Sequence, residues 1–230
     1  MEVYKSNKVK FLKLSVKHPY VRHLKDKKLG YASVQTGALK IENSRVTACP
    51  VQYRFSKIGE EEGKLFPLVS VIGISEFDEH ILIGLRSQSV RFPNLMGAAP
   101  TGHMEFGLTP EEAMKMELRE ELGVDGKSKL IGAQLSQMYL GLIYQIKLES
   151  NELTPSWEWN NLFWIQKDKL KGFMEKNASA FGPGFGASFV LYLHSIGEDT
   201  SKINRVNGWN FKISDFSDLK WKLNRIQNTS

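Results

Sequence analysis

TGHMEFGLTPEEAMKMELREELGVD, residues 101–125, is the stretch whose reading decides the fold. Thr109 is a good N-cap, Pro110 falls at the first helical position and Glu112 at the third, which together make a capping box. Leu122 and Gly123 end the element, with glycine where a left-handed residue closes a helix. The spacing predicts a helix over 109–122. On it Glu117, Glu120 and Glu121 stand at i, i+3 and i+4 and share one edge. Like charges so placed oppose the helix by roughly 0.2–0.5 kcal/mol per pair. A hard divalent cation reverses that sign, because Mg²⁺ takes carboxylate oxygens and keeps waters for a substrate's phosphates. Taken alone, the run also reads as an exposed acidic face partly neutralised by Lys115 and Arg119.

The rest of the stretch adds to this. Gly102, Glu117, Leu118, Glu120, Glu121, Gly123 and Val124 fall on the spacing of the Nudix box, G-x5-E-x7-R-E-U-x-E-E-x-G-U, where U is aliphatic. With the flanking HMEFG, TPEEA and ELGV, the chain resembles the Nudix hydrolase superfamily over about residues 67–195. Two positions depart from the pattern: Leu108 replaces a Glu and Met116 replaces an Arg. In the family those two are understood to pair and support the loop–helix junction. Replacing both partners by apolar residues can be neutral or stabilising, so the junction is expected to survive.

The resemblance implies an α/β (α+β) Nudix fold, a mixed sheet sandwiched between helices, here with an N-terminal extension. It also implies Mg²⁺-dependent (or Mn²⁺-dependent) hydrolysis of a pyrophosphate bond in a nucleoside diphosphate-linked substrate. Glu117, Glu120 and Glu121 would be the metal ligands and catalytic carboxylates, with the carbonyl of Gly102 as a further ligand. Glu158, six residues before Trp164, is a candidate general base, and Glu105 a weaker one. Arg86 and Arg91 are expected to reach substrate phosphate, which a guanidinium can grip with two bonds. His103 reads as structural. Phe92, Tyr139, Trp157 and Trp159 are candidates to stack on a base, a contact worth about 1–3 kcal/mol per ring in nucleic-acid binders.

Outward from the box, LVSVIGIS (68–75) and HILIGLRS (80–87) read as a hairpin around EFDE. GAQLSQMYLGLIYQIKLES (132–150) reads as one or two strands and LFWIQ (162–166) as another. Helices are expected in KDKLKGFMEK and in FGASFVLYLHSIG (185–197). Upstream, VKFLKLSV, YASVQTGALKIE and RVTACPVQYRF alternate like short strands. The expected division is an extension over 1–65, the Nudix domain over 66–197 and a tail over 198–230 that docks through Trp209, Phe211, Phe216, Trp221 and Leu223.

Composition limits the alternatives. The 230 residues are 41% hydrophobic and 24% charged, which excludes disorder as the main description. One cysteine, Cys49, makes no internal disulfide, and no run reaches the ~18 apolar residues of a membrane span. A cytoplasmic protein is the expectation, with a homodimer as an open possibility. The net charge of +6 is uneven: residues 1–28 hold nine basic side chains against two acidic ones. That arm reads as a solvated face or as a surface for RNA. Two further functions therefore stay open, a non-hydrolytic nucleotide-binding sensor and an RNA-decapping-type enzyme.

Overall fold

The computed structural model describes residues 35–42, 45–52, 68–105, 107–135, 139–203, 205–206, 209–210 and 220–223. The basic arm, VKFLKLSV, Phe211 and Phe216 lie outside the described residues. Two of the expected upstream strands are present: β1 (Gln35–Glu42) and β2 (Arg45–Gln52) form an antiparallel hairpin, and Ala38 pairs with Leu68 of β3 (Leu68–Phe77).

β3 and β4 (His80–Arg86) are the two strands expected on either side of the EFDE turn. They pair only at the turn end, through Glu76 with Ile81 and Phe77 with His80. Beyond that their facing edges diverge. β5 (Met96–Gly97) pairs with β4 at Gly84 and Leu85, and β6 (Thr101–His103) pairs with β3 at Ser70, Val71 and Ile72. The segment between them spans the gap, with Gly73 N–H bonding Pro100 carbonyl at 2.8 Å and Ser75 Oγ bonding Ala99 carbonyl at 2.6 Å. The hairpin is thus a fork, and β6 lies on its inner side.

α1 (Pro110–Leu122) follows, with the caps its sequence specifies. Thr109 accepts from Glu112 N–H at 3.2 Å, and Glu112 accepts from Thr109 N–H at 2.7 Å. Gly123 closes the helix at φ 69° and bonds Arg119 carbonyl. β7 (Gly126–Leu135) and β8 (Tyr139–Leu148) then form a hairpin, and β8 runs parallel to β3 from Leu68 to Glu76. β7 begins six residues earlier than the sequence suggested. Lys127, Ser128, Lys129 and Leu130 are all exposed, so this end of the strand has no apolar–polar alternation to read.

β9 (Trp159–Gln166) pairs with the outer edge of β4. It leads through a short 3-10 turn into α2 (Leu170–Asn177) and α3 (Pro183–Ser195). β10 (Arg205–Val206) and β11 (Trp209–Asn210) form a separate two-stranded ribbon beside α3, while β12 (Lys220–Leu223) pairs parallel with β2. Ten of the described strands form one mixed sheet.

Its two faces explain the burial pattern. Val69, Val71, Leu82, Leu142 and Tyr144 pack under α1 through Ala113, Met114, Leu118 and Leu122. Ile72, Ile74, Ile81, Ile83 and Ile143 pack on the other face against Leu170, Met174, Phe189 and Leu193 of α2 and α3. β3 is buried on both faces, which is why it reads as a continuous apolar run. Each such side chain stabilises the fold by about 1.5–3 kcal/mol. The expected sheet between helices is the observed architecture.

Candidate active site

α1 lies against β3, β6 and β7. Glu117 is 9% exposed and Glu121 3%, whereas Glu120 is exposed. The reading of this run as a solvated acidic face therefore fails for two of its three carboxylates. Arg119, offered as their neutraliser, instead pairs with Asp125 at 2.9 Å. Glu117 is folded onto β6, its carboxylate in the space a β-carbon on Gly102 would occupy. Glu121 Oε2 accepts from Thr101 N–H at 3.1 Å and from Trp159 Nε1 at 3.0 Å. Its Oε1 is buried without a partner.

A tight turn at Ser156–Trp159 docks on the last turn of α1. Thr154 N–H bonds Leu122 carbonyl at 2.8 Å, Ser156 N–H bonds Glu121 carbonyl at 2.9 Å, and Trp159 N–H closes the turn on Ser156 carbonyl at 3.2 Å. The turn presents Glu158 to Arg86, Nη2 to Oε2, at 3.6 Å. Arg86 ends β4, where β9 carries an extra residue, Asn160, opposite it. Such a bulge re-aims side chains at a strand end. Arg86 is 7% exposed, and its guanidinium lies 5.2 Å from the centre of the Trp159 ring and 5.4 Å from that of Phe185. Its Nε donates to Arg91 carbonyl at 3.3 Å, and its Nη1 has no partner.

Charge and burial oppose each other here. Burial pushes the Glu117 carboxyl up to about 8, helped by the charges of Glu120, Glu158 and Glu105. Burial also lifts Glu121 well above the carboxylate range, with Glu117 and Glu158 adding to it and the Thr101 and Trp159 hydrogen bonds opposing. Burial pulls Arg86 down, while Glu158 and Glu121 hold it up. Glu117 and Glu121 thus feel each other's charge and that of Glu158 beside the buried Arg86 guanidinium, and Glu117 feels Glu120 and Glu105 as well. Among the described residues no three carboxylate, imidazole or thiol groups form a ready-made cation cage. The reason is visible: Glu117 is turned onto Gly102, Glu121 onto Thr101 and Trp159, and Glu120 into solvent. The donor set nonetheless suits a hard cation, being clustered carboxylates of raised pKa with one buried oxygen left unpartnered.

The other candidates sort themselves out. Arg91 is exposed, with its guanidinium 5.0 Å from the Phe92 ring centre. His103 Nδ1 is 2.8 Å from Ser70 Oγ. Leu108 packs against the core beneath α1, and Met116 is half-buried. Of the four aromatics proposed to stack on a base, Trp159 is in the core at 6% exposure, Tyr139 packs on the α3 side, and Phe92 lies under Arg91. Trp157 alone of the four is open, at 70% exposure. Sequence reasoning missed Phe185, which reaches Arg86 from α3, and the Trp159–Glu121 bond; neither has a local signal.

The family profile of the NUDIX domain matches residues 64–181, more than half of the chain. The chain belongs to the NUDIX domain family. The expectation of a Nudix hydrolase stands on that membership. Similar solved structures include a NUDIX-family hydrolase from Clostridium perfringens, 21% identical over 56% of this chain and 99% of that one, with a TM-score of 0.44. A NUDIX hydrolase from Nitrosomonas europaea is 15% identical over 69% of this chain and 80% of that one, with a TM-score of 0.48. The MutT protein from Methanosarcina mazei Go1 is 16% identical over 57% and 97%, with a TM-score of 0.47. No curated protein matches this Nudix chain in sequence. Among its described residues no helix is long and apolar enough to cross a membrane.

Proposed function

We propose that the chain is a Mg²⁺-dependent (or Mn²⁺-dependent) hydrolase of a pyrophosphate bond in a nucleoside diphosphate-linked substrate. One observation carries the reading: two carboxylates, Glu117 and Glu121, are buried side by side on the helix of the box, both pushed toward the protonated state. Burial penalises the ionised form of both, and Glu121 Oε1 is left without a partner, so a bound cation would supply the compensation that their surroundings withhold. Glu117, Glu120, Glu121 and the Gly102 carbonyl would hold the ion. When bound, it supplies charge neutralisation at the pyrophosphate and a lowered pKa for an attacking water.

The remaining roles fall to the chain's own groups. Arg86 would bind phosphate through its guanidinium, whose Nη1 is left without a partner. Glu158, at the rim beside Arg86, would accept the proton from water. Arg91, on the exposed loop after β4, would meet the outer phosphate. The leaving nucleoside moiety would lie toward Trp157.

The test is turnover of ADP-ribose, NADH, dinucleoside polyphosphates and nucleoside triphosphates with Mg²⁺ or Mn²⁺, with Glu120→Gln and Glu121→Gln as controls. Metal-dependent cleavage of at least one substrate, falling about 100-fold or more in either variant, is expected. Absence of both turnover and Mn²⁺ binding would sink the reading. Tight nucleotide binding without cleavage would shift it to a non-hydrolytic sensor.

A further inference from the structure

Glu121 carries two donors on one oxygen and none on the other. That asymmetry fixes the rotation of the carboxylate about its last bond, since turning it would exchange the bonded and unbonded oxygens. One donor, Thr101 N–H, is backbone and would survive most substitutions. The other is the indole N–H of Trp159, 38 positions along the chain, and only a side chain supplies it.

Trp159 is itself held firmly. Its ring is 6% exposed and fills the space left by Gly84, where a β-carbon would collide with Cε3 and Cζ3. Arg86 lies over its face at 5.2 Å, and its backbone N–H closes the Ser156–Trp159 turn. A buried indole needs one acceptor, and here that acceptor is a box carboxylate. We infer that Trp159 is a positioning residue: its Nε1–H holds Glu121 Oε2 and leaves Oε1 as the oxygen free for a cation. Groups that orient metal ligands in this way typically change metal affinity or activity 10–100-fold when removed. This inference rests on the hydrolase reading.

Isothermal titration with MnCl₂ tests it without relying on turnover. Trp159→Phe keeps most of the ring and deletes the N–H. Its Mn²⁺ dissociation constant should rise about 10–100-fold, with the unfolding midpoint of the metal-free protein close to wild type. Gly84→Ala, which displaces the ring but keeps the N–H, should weaken Mn²⁺ in the same direction. Trp164→Phe, which deletes the indole of another tryptophan packed on the same core, should leave the affinity within about twofold, below the range set by such orienting groups. With substrate, kcat of Trp159→Phe should fall more than KM changes. Unchanged Mn²⁺ affinity in Trp159→Phe, or an equal loss in Trp164→Phe, would overturn the inference alone. Failure of the wild-type protein to bind Mn²⁺ would overturn it, and joined to absence of turnover would overturn the proposed function as well.

Discussion

The carboxylate of Glu117 occupies the place where residue 102 would carry its β-carbon, so the helix acid and the strand glycine fit only as a pair. The end of a glutamate side chain can swing aside, and Gly102→Ala should therefore cost no more than about 1 kcal/mol of stability. It should cost cation affinity, because Glu117 is then turned away from Glu120. A fall of about tenfold or more in Mn²⁺ affinity by calorimetry is expected. Gly172→Ala in α2, where nothing lies within 4 Å of the added carbon, should instead raise stability by about 0.5–1 kcal/mol and leave Mn²⁺ binding alone.

Glu117 also sets a pH dependence. Its carboxyl titrates near 4.5 when unperturbed and at about 8 in the fold, raised mainly by burial. The folded state therefore holds a proton that the unfolded state has released between those values. The contribution is full below about 4.5 and is lost as pH rises to about 8. Glu121 acts in the same direction. In EDTA, the urea midpoint should fall from pH 5 to pH 8. Glu117→Gln should flatten that slope, and Mn²⁺ should restore more stability at pH 8 than at pH 5, because ligation displaces the proton.

Arg86 and Glu158 are unequal partners. The guanidinium is buried against two aromatic rings, while the carboxylate is about a third exposed and 3.6 Å away. Arg86→Ala should destabilise by about 2–4 kcal/mol through lost packing and ring contacts. Glu158→Ala should cost about 1–2 kcal/mol, chiefly by leaving Arg86 with less compensation. Urea unfolding of both single variants and the double variant measures the coupling. A double variant no less stable than Arg86→Ala would show that Glu158 stabilises only through Arg86.

Trp157 is the aromatic side chain left in solvent by the turn that otherwise serves Arg86 and Glu121. Trp157→Ala should leave stability within about 0.5 kcal/mol, as exposed substitutions do. If its ring stacks on the substrate's base, KM for a nucleotide substrate should rise about tenfold while kcat holds. Steady-state kinetics on the variant checks this directly.

The legible parts of this molecule are local. Thr109, Pro110, Glu112 and Gly123 state where α1 starts and stops, and the shared edge of Glu117 and Glu121 follows from 3.6 residues per turn. The β3–β4 hairpin is legible for the same reason, as two apolar runs around a short turn. β6 is only three residues and exists because β3 offers it partners, so no pattern within 101–103 announces it. The start of β7 is silent because Lys127 to Leu130 have no buried side. Within the site, side chains were readable as chemistry but not as partners. Trp159 reads as a stacking ring until β9 turns it inward against Gly84, and Phe185 has no link to Arg86 until α3 is folded over the sheet.

The fork in the sheet has a consequence for how such a protein diverges. The acids of α1 and the backbone of β6 belong to the β3 prong, whereas Arg86, the loop after it and the 156–159 turn belong to the β4 prong. Insertions and substitutions on the second prong can reshape what is admitted without disturbing the ladder that seats the first. The seam between them is narrow: Thr154, Ser156 and Trp159 tie the second prong to the end of α1. Alterations on the second prong therefore leave the seating of the acids intact so long as those three stitches hold.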